Sequence, residues 1–236
     1  MSTTALSCGN TAHAGRAGGD AVQWTQVPPG PGRKDVDHLL PEGPGRVVVR
    51  GTDSDLAAVV LRLLRKNRIA DLAVGYVPVA ASAATELWGL PVGEEAVEIA
   101  FEGRARPVPL VRDDSGGLIV ASGGITPITG QVYCDERQVL NGPATALHVA
   151  PDPGAEPLAE PTSDPMSSTL DPAEDGLRVT ATRRGLFRQR REVARGRAVQ
   201  ASFRESTVLR DGVAHPRPVT TWVWYRHTED LLLALP

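Results

Sequence analysis

The chain has 236 residues, enough for one or two domains that enclose a real core. Its formal net charge is −3, with 25 lysines and arginines against 28 acids, which argues against bulk affinity for nucleic acid or an anionic membrane. The 41% hydrophobic content suits a folded protein, while 24 glycines and 20 prolines predict many turns. Cys8 and Cys134 are too few and too far apart for a disulfide framework or a zinc site. No run approaches the roughly 18 apolar residues of a membrane span, and the first residues lack the basic-then-apolar order of a signal peptide. A reducing, cytoplasmic setting is expected.

Residues 1–33 are rich in Gly, Ala, Ser and Thr and close on Pro28-Pro29-Gly30-Pro31-Gly32. Little there can bury apolar area, so a mobile tail is expected, with Val22-Gln23-Trp24 as its one anchor. The first strong signal is the β-branched run Arg46-Val47-Val48-Val49-Arg50. The turn Gly51-Thr52-Asp53-Ser54-Asp55 leads into a helix whose Leu56, Val59, Val60, Leu63 and Leu64 share one face. Arg62, Arg65 and Lys66 fall off that face, and Ser54 or Asp55 is placed to cap the start. A second strand is read at 72–77, followed by a short helix ended by Gly89 and Pro91 and another helix over 94–101. Strand, tight turn, helix, strand is the pattern of a βαβ unit.

From Arg104 onward, short apolar segments alternate with turns, which predicts an antiparallel β domain. The acidic, proline-rich stretch 151–176 interrupts it and is expected to form an exposed loop. The predicted organisation is a tail at 1–33, a reduced α/β domain at 46–103 and a β domain at 104–236.

The order of these motifs resembles the diacylglycerol kinase catalytic domain, which shares its outline with NAD kinases and sphingosine kinases. In that family the first turn reads G-G-D-G-T and the second P-x-G-T-x-N-D, with an A-x-x-L-G-L-P tail. The corresponding stretches here are Gly51–Asp55 and Pro78–Ala84, with a close tail at Leu87-Trp88-Gly89-Leu90-Pro91. Ile99–Val108 is similar to the family's I-x-x-G-x-x-R-x-V segment, and Arg210-Asp211-Gly212-Val213 stands where a late Asp-Gly precedes a glutamate. The chain is identified on these motifs as a divergent, actinobacterial-type member of this superfamily with degenerate loops. The resemblance implies a truncated Rossmann-like domain, an antiparallel β-sandwich and last strands that return to the first domain.

It also implies site residues. Asp53 and Asp211 take the catalytic positions, and Gly51, Thr52, Asp53, Ser54 and Ser82 those that would hold Mg-ATP. The departures weigh against catalysis. Thr52 and Ser54 replace glycines whose bare backbone would approach phosphate, and Asp55 brings a negative charge to the helix start. Ala80, Ala81, Ala83 and Ala84 offer no polar side chain, Val213 replaces the glutamate, and the opening strand with its Asn-Pro-x-x-Gly loop has no counterpart before residue 46. Phosphoryl transfer rests on positioning and charge neutralisation, so losing several groups together is not readily compensated.

The expected function is therefore a non-catalytic binding or assembly module that engages a protein partner, a lipid or another anionic ligand. The alternative is an active ATP-dependent lipid kinase with an altered phosphate loop, and a third reading has the β domain self-associate. Asp53 and Asp55 are carboxylates spaced for Mg²⁺, or else cap and turn residues. The segment holding Arg178, Arg183, Arg184, Arg188, Arg190, Arg191, Arg195 and Arg197 is either an anion-binding face or a set of solvated hairpin positions partly neutralised by 151–176. Trp222 and Trp224 are expected in the core, Cys134 as a small buried hydrophobe, and His215 and His227 without a metal role.

Overall fold

The computed structural model describes residues 2–9, 16–17, 20–21, 23–154, 176–185 and 188–236. It divides into two compact units, 1–108 with 230–236, and 109–229. The chain thus leaves the first unit after β7 and returns for one last strand.

The first unit holds β1 (Ser2–Cys8), β2 (Arg16–Ala17), β3 (Asp20–Ala21), β4 (Thr25–Val27), α1 (Arg33–Val36), β5 (Gly45–Gly51) and α2 (Asp53–Arg65). It continues with β6 (Leu72–Pro78), α3 (Ala83–Trp88), α4 (Glu94–Glu102) and β7 (Arg104–Val108). The second unit contains β8 (Val111–Asp113), β9 (Leu118–Ile119), β10 (Gly123–Ile125), β11 (Ile128–Cys134), β12 (Arg137–Ala144) and β13 (Ala146–Pro151). After these come β14 (Leu177–Arg184), β15 (Gln189–Gly196), β16 (Ala198–Ser206), β17 (Val208–Arg210), β18 (Val213–Ala214) and β19 (Val219–Arg226). The returning strand of the first unit is β20 (Leu231–Leu235).

In the first unit one sheet runs in the order β4-β1-β5-β6-β20-β7. Strands β1, β4, β5, β6 and β20 are parallel, and β7 closes the edge antiparallel to β20. Strands covered on both faces should be apolar throughout, and Val47, Val48, Val49, Leu72 and Val74 are fully buried. Close helix packing shows at Gly75, where an added Cβ would lie 2.1 Å from the Ala100 carbonyl oxygen of α4.

Two expectations change here. The stretch 2–8, read as part of a tail, is β1, an interior strand paired from Ser2↔Gly45 to Ser7↔Arg50 with Leu6 fully buried. It supplies the opening strand that no motif before residue 46 had indicated. Arg62, placed off the apolar face, is 8% exposed because Asp37 receives its guanidinium in a fork at 2.7 and 2.8 Å. That hydrogen bond holds the Asp37 carboxyl below its usual range. Trp24 acts as an anchor, edge-on to Phe101 at 5.8 Å with the Arg50 guanidinium over its ring.

The second unit is two six-stranded sheets, β15-β14-β13-β10-β17-β18 and β12-β11-β16-β19-β8-β9. Ile125, Leu147 and Val179 of one sheet and Val132, Val199 and Trp224 of the other share a single core, which makes the unit a sandwich. Trp222, Trp224 and Cys134 are all buried in it. The loop expected over 151–176 falls mainly on 155–175, outside the described residues.

Candidate functional site

Adjacent parallel strands β5 and β6 end in register at Gly51↔Pro78, so their following turns lie side by side at the carboxyl edge of the sheet. Open parallel sheets carry their ligand sites at this edge. Four of the residues singled out in the sequence, Gly51 to Ser54, form the first turn, and Ser82 belongs to the second.

Helix α2 begins with Thr52 as its N-cap, one residue before Asp53, rather than at Ser54 or Asp55. The Thr52 hydroxyl accepts from the Asp55 backbone N–H at 3.3 Å, and Asp55 closes a capping box by accepting from the Thr52 N–H at 2.9 Å. The Thr52 hydroxyl also donates to Asp55 Oδ2 at 2.8 Å and lies 2.9 Å from Ser54 Oγ. The other oxygen, Oδ1, receives the backbone N–H of Gly30 at 2.7 Å. Gly30 has φ +59° and belongs to the Pro-Pro-Gly-Pro-Gly turn, which the sequence had suggested was part of the tail. A Cβ on Gly51 would stand 2.6 Å from Asp55 Oδ2, so the space a bare glycine leaves open is filled by the chain's own carboxylate. Asp55 is 4% exposed.

Asp53 turns the opposite way and ties the two turns together. Its Oδ1 accepts from Tyr76 Oη at 2.9 Å and Ser82 Oγ at 2.7 Å, and its Oδ2 accepts from the Ala84 N–H at 3.1 Å. Ser82 is in turn the N-cap of α3, in a capping box with Thr85. Burial first, and then the Asp53 charge, push the Tyr76 phenol far above its ordinary range. At the end of β1, the Cys8 thiol is pushed up to about 12 by burial and then by the Asp55 charge. Tyr76 and Gly30 are the contributors that sequence reasoning missed. A tyrosine inside an apolar strand was a weak signal, and the glycine-proline turn was a stronger one.

Asp211 lies in the second unit, at φ 44° in the turn between β17 and β18. Its carboxylate accepts the backbone N–H groups of Val120, Ala121 and Ser122 at 2.9, 3.0 and 2.8 Å, while its own N–H donates to Ser122 O. This carboxylate latches the hairpin to the 120–122 segment. Val213 beyond it is 54% exposed.

No cluster of three metal-ligating side chains occurs among the described residues. His215 packs edge-on against Trp222 and its Nδ1 lies 2.8 Å from the Arg217 carbonyl oxygen. The residues at the two turns do not fit Mg-ATP in this arrangement. The Thr52, Gly30 and Ala84 N–H groups are already given to Asp55 and Asp53, and Ala80 and Ala81 present no polar side chain.

Comparison with known proteins gives a fold but no close relative. No family model matches the chain, and no curated protein matches it. A diacylglycerol kinase crystal structure from Bacillus anthracis str. Sterne superposes with TM-score 0.52 and 12% identity, over 81% of this chain and 76% of that one. A further structure assigned to diacylglycerol kinase in the same organism gives TM-score 0.53 at 11% identity, over 81% of this chain and 78% of that one. An NAD kinase from Archaeoglobus fulgidus in complex with ATP overlaps less well, with TM-score 0.46 and 13% identity over 83% of this chain and 82% of that one. The chain has the diacylglycerol kinase-like fold, an α/β unit joined to a β-sandwich.

Proposed function

We propose that this protein is a non-catalytic member of the diacylglycerol kinase-like fold that works as a binding or assembly module. One observation carries the reading: Asp55 occupies, with its own negative charge, the donors of the turn that would otherwise face a phosphate. Two unit charges about 4 Å apart repel by about 4 kcal/mol at the effective dielectric near a protein surface, so a phosphate would have to displace that carboxylate. Asp53 offers no replacement, because Tyr76, Ser82 and Ala84 already hold both of its oxygens.

The test is thermal stability and ATP turnover of the purified protein with millimolar Mg-ATP. A ligand at 100 times its dissociation constant stabilises the native state by about 2.7 kcal/mol, which is readily seen as a raised Tm. The expected outcome is no magnesium-dependent shift and no turnover. A clear shift, with turnover that disappears in a folded Asp53→Asn variant, would restore the reading of an ATP-dependent lipid kinase with an altered loop.

A further inference from the structure

The pleat of the β14–β15 hairpin divides its arginines between two faces. Arg183 and Arg190 stand with Glu192 on the core side, where Glu192 already receives Arg137. Arg178, Arg191 and Arg195 stand on the outer side, where buried Asp152 takes Arg195 Nε at 2.6 Å. The opposite sheet of the sandwich is built differently. Its neighbouring strands β12, β11 and β16 turn Leu140, Val132 and Ala201 inward in one cross-strand row and Asn141, Gln131 and Ser202 outward in the next. Around that outward row lies a shallow hollow of about 430 Å³, which Thr129 and Arg204 also line.

An antiparallel sandwich is expected to carry polar residues on its outer faces. Two features go beyond that expectation. None of Thr129, Gln131, Asn141, Ser202 and Arg204 bonds through its side chain to another described residue, and no carboxylate lines the hollow. In a chain with 22% charged residues, two hydroxyls, two carboxamides and a single guanidinium converge on one concavity without partners. A phosphate or carboxylate would use only the donors and set both carboxamide oxygens against an anion, and an apolar ligand would use none of the five groups. A peptide strand adding at the neighbouring edge would meet Pro143 of β12, which has no N–H to give. Sugar hydroxyls match the set, because each donates and accepts at once, as hydroxyls and carboxamides do. Sugar rings also have an apolar C–H face, for which Tyr133 offers a platform. Tyr133 lies on the same outer face two residues beyond Gln131, about 7 Å along β11. It is 37% exposed, and Gln138 Nε2 donates to its hydroxyl at 2.7 Å. The hollow itself falls within the roughly 300–1,000 Å³ of small-ligand sites.

We propose that the outer face of β12, β11 and β16 is a saccharide-binding site, which takes one ring of a neutral oligosaccharide in the hollow and rests the next ring on Tyr133. Gln131 and Asn141 exchange hydrogen bonds with the ring hydroxyls in both directions, and the Arg204 fork donates to a neighbouring pair of hydroxyls. The site lies wholly in the second unit and goes beyond the reading of the turns in the first, so it stands or falls separately from the Mg-ATP assay.

The experiment is an amide NMR titration of the isotope-labelled full chain with maltotriose, cellotriose and mannotriose, and with glycerol as a polyol that has no ring. Saturable shifts confined to β11, β12 and β16 are expected with at least one of the three sugars, at millimolar concentrations as suits an open, hydrated site. Gln131→Ala with Asn141→Ala should weaken that binding about tenfold, and Tyr133→Ala about fivefold. These substitutions lie on an exposed face, and the spectra check that both variants fold. Thr180→Ala, on the outer face of the other sheet, should leave binding unchanged. Absence of saturable shifts with all three sugars would overturn the proposal. So would equal shifts with glycerol, shifts scattered over both units, or unchanged binding in either folded variant.

Discussion

Replacing Asp55 by alanine tests the central feature of the site, a carboxylate that serves its own fold in place of a bound anion. The substitution removes three acceptor contacts, from Gly30 N–H, Thr52 N–H and the Thr52 hydroxyl. A charged acceptor bond contributes about 1.5–3 kcal/mol and an N-terminal cap about 1, but bonds sharing one carboxylate do not add in full. With Asp55 only 4% exposed, solvent cannot replace the lost acceptor completely, and about 3 kcal/mol is expected. For a chain of this size that corresponds to a drop of about 6–12 °C in Tm. Asp55→Asn keeps one acceptor oxygen and should lose about half as much. Urea titration of the three proteins followed by far-ultraviolet circular dichroism gives the comparison. The Gly30 contact adds a second readout, because without it the 28–32 turn should become a preferred site of limited proteolysis. If Asp55→Ala melts within 1 °C of the parent with an unchanged cleavage pattern, the carboxylate does not hold these segments together, and the account of the filled cradle fails.

Asp211→Ala should lose about 2–3 kcal/mol, since three backbone N–H groups are left without their acceptor, and Asp211→Asn should lose less because asparagine also tolerates the left-handed φ of 44°; denaturant midpoints decide. Gly75→Ala should prevent soluble accumulation or cost more than about 3 kcal/mol, because the added methyl meets backbone of α4 at 2.1 Å, where no side chain can swing away. The Cys8 thiol should resist a disulfide reagent at pH 8 until the protein is unfolded in urea, and rapid labelling of the native chain would contradict its burial. Burial pushes this thiol from its ordinary value of 9.0 up to about 12, so the neutral thiol contributes stability below pH 9 that is lost as pH rises towards 12. The loss approaches about 1.36 kcal/mol per pH unit from this one group, and Tyr76, raised for the same reason, adds to it above its ordinary range. A midpoint in urea that stays level between pH 9 and 11 would contradict both.

The parts of this fold that were legible in the sequence bury apolar side chains with a regular period. Val47, Val48 and Val49 announced β5, and the Leu56-to-Leu63 stripe announced α2. Strands that lack that signature were missed. In β1 the sequence Ser-Thr-Thr-Ala-Leu-Ser-Cys reads as a polar tail, yet pairing with both β4 and β5 makes it interior, with Ser7 1% exposed. In β15 the arginines hide a strand whose backbone pairing with β14 is unbroken over eight residues. The site shows the same division. Composition pointed to Asp53 and Asp55 and to the cost of a carboxylate at a helix start. It could not say where each carboxylate turns, because Tyr76, Ser82 and Gly30 lie between 23 and 29 residues away from their partners and meet them only through the parallel sheet. A carboxylate beside a glycine turn reads from sequence alone as either a metal ligand or a cap. What separates the two here is geometry: every bond recorded for these two carboxylates comes from an N–H or O–H of the chain itself, and a side chain satisfied that way stabilises the empty fold more than any state in which it must let go.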